Sequence, residues 1–96
     1  MSLRTPYLMF VGDAADQLAA KTAQGVVDWR PEWCLGQLRL DGCNADLGIP
    51  DMTLEEAAEA GVKTLIVGVA NRGGIISDVW SNTLVRAIEL GMDVAS

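Results

Sequence analysis

Two short loops hold the residue types best suited to chemistry in this chain of 96 residues. One is Gly12-Asp13, directly after the apolar run Tyr7-Leu8-Met9-Phe10-Val11. The other is Asn71-Arg72-Gly73-Gly74, directly after Leu65-Ile66-Val67-Gly68-Val69-Ala70. Arg72 can clamp a carboxylate or phosphate with a forked pair of hydrogen bonds. Gly73 and Gly74 let the backbone turn towards a following helix N-terminus, which favours anions. The competing reading is a turn with a solvated arginine. Gly12-Asp13 sits where a dinucleotide-binding fold carries its phosphate-binding glycines, but only Gly12 is present and Asp13 would turn a negative charge on a phosphate. Asp13 is therefore read either as the N-cap of the next helix or as a charged group facing a ligand.

The remaining reactive side chains narrow the chemistry. With no histidine, the usual general base at neutral pH and the commonest metal ligand are missing. Cys34 and Cys43 form neither a zinc cluster nor a disulfide framework. Cys34 is expected to be an inert buried thiol, and nothing in the sequence activates Cys43. Arg39 closes a strand where an arginine can meet a ribose phosphate; without the glycine fingerprint it also reads as an edge-strand charge. Ala20-Lys21-Thr22 lacks the glycine loop of a phosphate-binding Walker sequence, so one of Lys21 and Thr22 is expected solvated and the other packed. Trp29 and Trp33 are expected to pack over the sheet end or a neighbouring domain, with base stacking as the alternative. A phospho-receiver domain would need an aspartate after the third strand, and residues 68–71 offer none.

The elements that position these loops follow from hydrophobic pattern. Continuous apolar runs at 7–11 and 65–70 predict parallel strands covered on both faces. In residues 34–40, Gln37 and Arg39 alternate with Leu38 and Leu40, which predicts an edge strand with one wetter face. A helix is predicted from Ala15 with Gly25 as its terminator or kink. Thr53-Leu54-Glu55-Glu56 is a capping box opening a short helix that stops at Gly61. A third helix starts near Ser77-Asp78, carries the stripe Val79, Trp80, Leu84, Ala87 and Ile88, and closes at Gly91. The result is an α/β fold: a Rossmann-like three-layer sandwich with a parallel sheet of order 2-1-3-4. Its switch point, between strands 1 and 3, would set both loops around one crevice. Met92-Asp93-Val94-Ala95-Ser96 reads as a fourth strand left unfinished, so the expectation is a chain truncated there, and Met1-Ser2-Leu3 are left out of the fold argument. The longest expected loop is 41–51.

Composition sets the outer bounds. The length allows one domain, 1–96. A net charge of −6 argues against binding a phosphate backbone, so no nucleic-acid partner is expected. No apolar run approaches the length of a membrane span, and no charged-then-apolar leader opens the sequence. The expectation is a reduced, soluble, cytoplasmic domain. An exposed strand edge and the apolar side chains of the third helix further suggest a homo-oligomer, most simply a two-fold dimer.

Three stretches together resemble one family: Gly12-Asp13 with Asp16-Gln17-Leu18-Ala19-Ala20-Lys21-Thr22-Ala23-Gln24-Gly25; Trp29-Arg30-Pro31-Glu32-Trp33-Cys34 with Gly36-Gln37-Leu38-Arg39; and Val67-Gly68-Val69-Ala70-Asn71-Arg72-Gly73-Gly74. They are similar to the N-terminal Rossmann-like domain of the DgcN family of bacterial two-domain proteins, whose members have often carried the label NAD-dependent epimerase/dehydratase. The resemblance spans about residues 4–96. It implies a following P-loop-type domain, D-glutamate N-acetyltransferase activity and acetyl-CoA as acetyl donor. Under it, Gly12, Asp13, Asn71, Arg72, Gly73 and Gly74 would hold a small anionic substrate against the chain's own C-terminal domain. Two other expectations stay open: an NAD(P)-dependent epimerase or dehydratase domain, and a scaffold that binds no ligand.

Overall fold

The apolar runs fold as the two central strands, β1 (Tyr7–Gly12) and β3 (Thr64–Val67), in a computed structural model that describes residues 4–69 and 78–95. With β2 (Cys34–Arg39) and β4 (Asp93–Ala95) they form an all-parallel sheet of order β2-β1-β3-β4, as the sequence predicts. Every residue of β1 is buried because helices cover both faces. Tyr7, Met9 and Val11 point into a core shared with α1 (Lys21–Trp29). Leu8 and Phe10 point the other way, against α2 (Leu54–Glu59) and α3 (Asp78–Glu89). Leu8, Met9, Phe10 and Leu65 are fully buried, and each such side chain contributes about 1.5–3 kcal/mol. The sheet centre is thus the rigid platform on which its carboxyl-end loops stand.

The helix boundaries confirm some cap signals and correct others. The Thr53 hydroxyl accepts the Glu56 N–H at 3.1 Å while Glu56 Oε1 accepts the Thr53 N–H at 2.9 Å, completing the capping box. Gly61 and Gly91 follow α2 and α3 with φ of +91°, the left-handed conformation that suits glycine at helix ends. Asp13, however, is not the cap of the helix that follows it. A 3-10 turn over Leu18–Ala20 precedes α1, and Asp16 Oδ1, not Asp13, accepts the Ala19 N–H at 2.9 Å. Gly25 neither stops nor kinks α1; it lies mid-helix and open to solvent, and the helix runs on to Trp29 before Pro31. Lys21 and Thr22 are both exposed. On α3, Trp80 and Ala87 are buried as the stripe requires and Leu84 is half-buried, but Val79 and Ile88 are 56% and 59% exposed.

The edge at β2 also departs from expectation. Gln37 does not face water: it is buried. Its main chain is bracketed by the 41–51 loop, with Gln37 N–H donating to the Pro50 carbonyl and Met52 N–H to the Gln37 carbonyl, both at 2.9 Å. Gln37 Nε2 donates to Asp46 Oδ1 at 2.9 Å and to the Ile49 carbonyl at 2.8 Å, and Gln37 Oε1 accepts the Leu47 N–H at 2.9 Å. Gly36 permits this close approach, since a Cβ there would collide with Met52. The loop is a strap that pairs with the middle of the sheet edge at Gln37.

Candidate functional site

The β1 exit begins with Gly12, whose φ of +62° requires glycine and whose missing Cβ leaves room for the Trp80 ring, 3.0 Å from where that atom would sit. The turn sends the Gly12 carbonyl towards β2, where it accepts the Leu40 N–H at 2.8 Å. Asp13 then faces the start of α3, and its Oδ1 accepts the Trp80 indole N–H at 2.9 Å. Trp80 is buried and meets Phe10 edge-on at 5.1 Å. One acidic side chain thereby ties the β1 loop to α3 across the sheet end, which is why it is not spent as a helix cap.

Between these elements lies a cleft of about 470 Å³, lined by Asp13, Arg39, Leu40, Asp41, Val79 and Trp80. It occupies the carboxyl ends of β1 and β2, the side of an open α/β sheet where ligands bind. Among the described residues Arg39 is its only basic lining residue, and it is committed inward. Its Nε and Nη2 donate to the two carboxylate oxygens of Asp51, both at 2.8 Å, and Asp46 lies 3.7 Å from Nη1. These bonds hold the Asp51 carboxyl below the ordinary carboxylate range and raise the guanidinium's affinity for its proton. Asp46 is lowered too, first by the Gln37 amide, then by the Gly48 N–H. Among the described lining residues, with Arg39 neutralised by its partners, Asp13 and Asp41 leave a negative charge that suits an ammonium group.

A second cleft, of about 330 Å³, opens on the α1 side of the β3 exit and is lined by Leu18, Ala19, Lys21, Thr22, Val67, Gly68 and Val69. In dinucleotide folds the helix after β1 turns its free N–H groups on the pyrophosphate. Here the Ala23 N–H in the first turn of α1 donates instead to the Gly68 carbonyl at 3.3 Å. A side chain at Gly68 would collide with Ala23, so helix and strand exit are in direct contact. Together with Arg39's engagement by Asp51, this commits two of the described groups that a dinucleotide fold would turn on a phosphate.

Of the sequence-predicted site residues, Gly12 and Asp13 stand at the carboxyl end of the sheet. Asn71, Arg72, Gly73 and Gly74 lie outside the described residues. Trp29 and Trp33 stand at the opposite end of the sheet. Trp33 packs edge-on against Tyr7 at 6.0 Å, as expected for a residue covering the sheet end, while Trp29 is 67% exposed. The Arg30 guanidinium lies 4.9 and 5.0 Å from the two indole rings. Cys34 is buried and donates to the Arg30 carbonyl; burial first, then Glu32, pushes its thiol up. Cys43 is half-buried, with its thiol on the Ala45 carbonyl at 3.4 Å. Among the described residues no group of histidine, cysteine or acidic side chains is placed to hold a metal, and no helix is long and apolar enough to cross a membrane.

Sequence reasoning missed three participants: Trp80 as the partner of Asp13, Gln37 as the anchor of the strap, and the pairing of Arg39 with Asp51. The last had a signal, an arginine at a strand end followed by an aspartate-rich loop. The first had none, because Asp13 and Trp80 are 67 residues apart.

Comparison with known proteins places this architecture. Residues 38–96 match a family described as a domain of unknown function, DUF1611_N, a Rossmann-like domain. The chain is 60% identical over 94 residues to a D-glutamate N-acetyltransferase of Tritonibacter scottomollicae, covering 98% of this chain and 28% of that protein. It is 43% identical over 96 residues to a D-glutamate N-acetyltransferase of a Pseudoalteromonas species, covering 100% of this chain and 29% of that protein. The chain therefore spans less than a third of the length of these relatives.

Proposed function

Since the chain belongs to the DUF1611_N family of Rossmann-like domains and corresponds to the N-terminal domain of DgcN-like proteins, we propose that it forms one wall of the ligand site of a D-glutamate N-acetyltransferase. The observation that carries this reading is the 60% identity over nearly the whole chain to a protein of that name. The negative cleft at the carboxyl end of the sheet supports it, because a D-amino acid brings an ammonium group. Asp13 and Asp41 face that ammonium. Arg72, with the Gly73 and Gly74 amides and Asn71, takes a carboxylate from the segment that follows β3, and Gly12 gives the turn its close approach.

In the reaction, the neutral amine nitrogen attacks the thioester carbonyl carbon of acetyl-CoA. The new C–N bond forms as the C–S bond breaks, the nitrogen sheds its second proton to become the amide, and the departing CoA thiolate takes that proton up. The acceptor must first lose a proton from its ammonium, and this reading assigns that proton to Asp13. The rest of the rate would come from holding amine and thioester together. Acetyl-CoA itself is assigned to the interface with the chain's own C-terminal, P-loop-type domain. The working assembly is a cytoplasmic homo-oligomer of that two-domain protein.

The test is acetyl transfer by the intact protein, followed as free CoA thiol with D-glutamate and acetyl-CoA. Turnover that requires both substrates is expected. No transfer, or micromolar binding of NAD or NADP followed by Trp fluorescence, would overturn the assignment. Ligand affinity unchanged by Asn71→Ala with Arg72→Ala would reduce the domain to a scaffold.

A further inference from the structure

Ala23 and Val27 form the buried side of α1. On the opposite side Lys21, Gly25, Asp28 and Trp29 are all exposed and share one face, at spacings of three and four residues. Leu18, one turn earlier, continues that face and is 74% exposed. Trp29 closes it and is held in place: the Arg30 guanidinium lies over its ring, and Trp33 meets it edge-on at 5.7 Å. An exposed aromatic ring already fixed in position is the kind of side chain that anchors a protein contact at little entropic cost. Gly25, at the middle of the face, has nothing within 4 Å of where a Cβ would sit. Glycine there costs helix stability relative to alanine, and what it provides is a hollow in the helix surface. That hollow opens into a groove of about 470 Å³ lined by Gln17, Leu18, Lys21, Gln24, Gly25 and Asp28. Its wall is ordered by Gln17 donating to Gln24 at 3.2 Å and Gln24 donating to Asp28 at 2.9 Å.

We infer that two copies of the chain meet on this face of α1, with the helices antiparallel about a two-fold axis at Gly25. The charges select a second copy as the occupant. Lys21 and Asp28 stand about 10 Å apart along the helix, on either side of Gly25. Reversing the helix about that point sets Lys21 against Asp28 of the partner subunit, and does so twice. The shapes obey the same axis. Gly25 lets the two backbones approach, and the partner subunit's Trp29 enters the groove beside Leu18, within reach of the Lys21 ammonium. A face that carries one knob, one hollow and one charge of each sign, arranged around a central glycine, is complementary to itself. The inference rests on the homo-oligomer reading above, not on the acetyl-transfer chemistry.

The test is sedimentation of the full-length protein across a concentration series. Trp29→Ala is expected to raise the dimer dissociation constant at least about 30-fold. Lys21→Asp and Asp28→Lys, each of which turns two attractive pairs into two repulsive ones, are expected to raise it about tenfold. Both place their new charge at the helix end whose dipole favours it, so folding is preserved. The double variant Lys21→Asp with Asp28→Lys restores opposite charges across the axis and should return to within about threefold of wild type. Lys21→Cys with Asp28→Cys adds a second readout. Within one chain these sites lie too far apart for a disulfide, so a covalent dimer on mild oxidation is expected and reports contact between chains. A double charge swap that stays as weak as the single variants would overturn the inference and assign the face to an unlike partner. An oligomer that neither crosslinks nor responds to these substitutions would overturn this interface and leave the homo-oligomer reading intact. A monomer at every concentration would overturn both.

Discussion

Replacing Gln37 by leucine isolates the anchor of the strap. The change keeps most of the side chain's volume and removes three hydrogen bonds, to Asp46, the Ile49 carbonyl and the Leu47 N–H. Asp46 is exposed and regains water at little cost. The Leu47 N–H is in a buried residue and the Ile49 carbonyl in a half-buried one. Each such orphaned group costs about 1–3 kcal/mol. Allowing about 1 kcal/mol back for the added apolar burial, the net loss is roughly 1–5 kcal/mol, against about 5–15 kcal/mol for a whole domain. At about 4–8 °C per kcal/mol for a domain near this size, the middle of that range lowers the melting temperature by more than about 10 °C. Far-UV circular dichroism against temperature, with urea titration alongside, measures this directly. Gln37→Glu sharpens the result. It keeps an acceptor for Leu47 but sets a second carboxyl beside Asp46 and the Ile49 carbonyl. Burial and that neighbour favour its neutral form, so the variant should approach wild type at low pH and lose ground as pH rises. A Gln37→Leu protein within about 1 kcal/mol of wild type would show that the strap is held by its main-chain bonds alone.

Gly12→Ala should destabilise by about 1–3 kcal/mol, because φ is +62° and the new methyl would sit 3.0 Å from the Trp80 ring; equilibrium urea unfolding would show it. The folded-state carboxyls of Asp46 and Asp51 are lowered, so their contribution is present above the unfolded-state carboxylate pKa and lost as pH falls through their lower folded values. Arg39→Gln should therefore flatten the acid limb of a stability–pH curve and leave the neutral-to-alkaline limb unchanged. A disulfide-exchange reagent should label Cys43 before Cys34, whose thiol is buried and pushed up; equal rates would contradict the packing of β2.

The sheet was legible because β1 and β3 are buried on both faces, and a strand in that setting needs an unbroken apolar run. The capping box at Thr53 was legible for a similar reason, since all its atoms come from four consecutive residues. What escaped was what depends on distant partners. Asp13 has the type and position of an N-cap, and only the arrival of Trp80 from α3 redirects it. Gln37 alternates like a solvent-facing residue. It is buried because the 41–51 loop returns to the strand edge, and the sequence marks that loop as a loop but not where it docks. Val79 and Ile88 fit the helical period of α3 yet lie on its exposed surface. Periodicity defines a stripe width, while the neighbours present decide how much of it is covered. Of the candidate site, Gly12 and Asp13 were found by position after a buried strand; the negative character of the wall required knowing that Arg39 turns to Asp51.

The most direct test of the proposed role is the rate of acetyl transfer to D-glutamate by the full-length protein carrying Asp13→Asn. Asparagine keeps an oxygen for the Trp80 indole, so the loop stays tied while the charge and the proton acceptor are lost. The account predicts an unchanged melting temperature and kcat/KM lower by about 10²-fold or more. Wild-type kcat/KM in that variant would contradict the claim that this domain forms a wall of the reacting site.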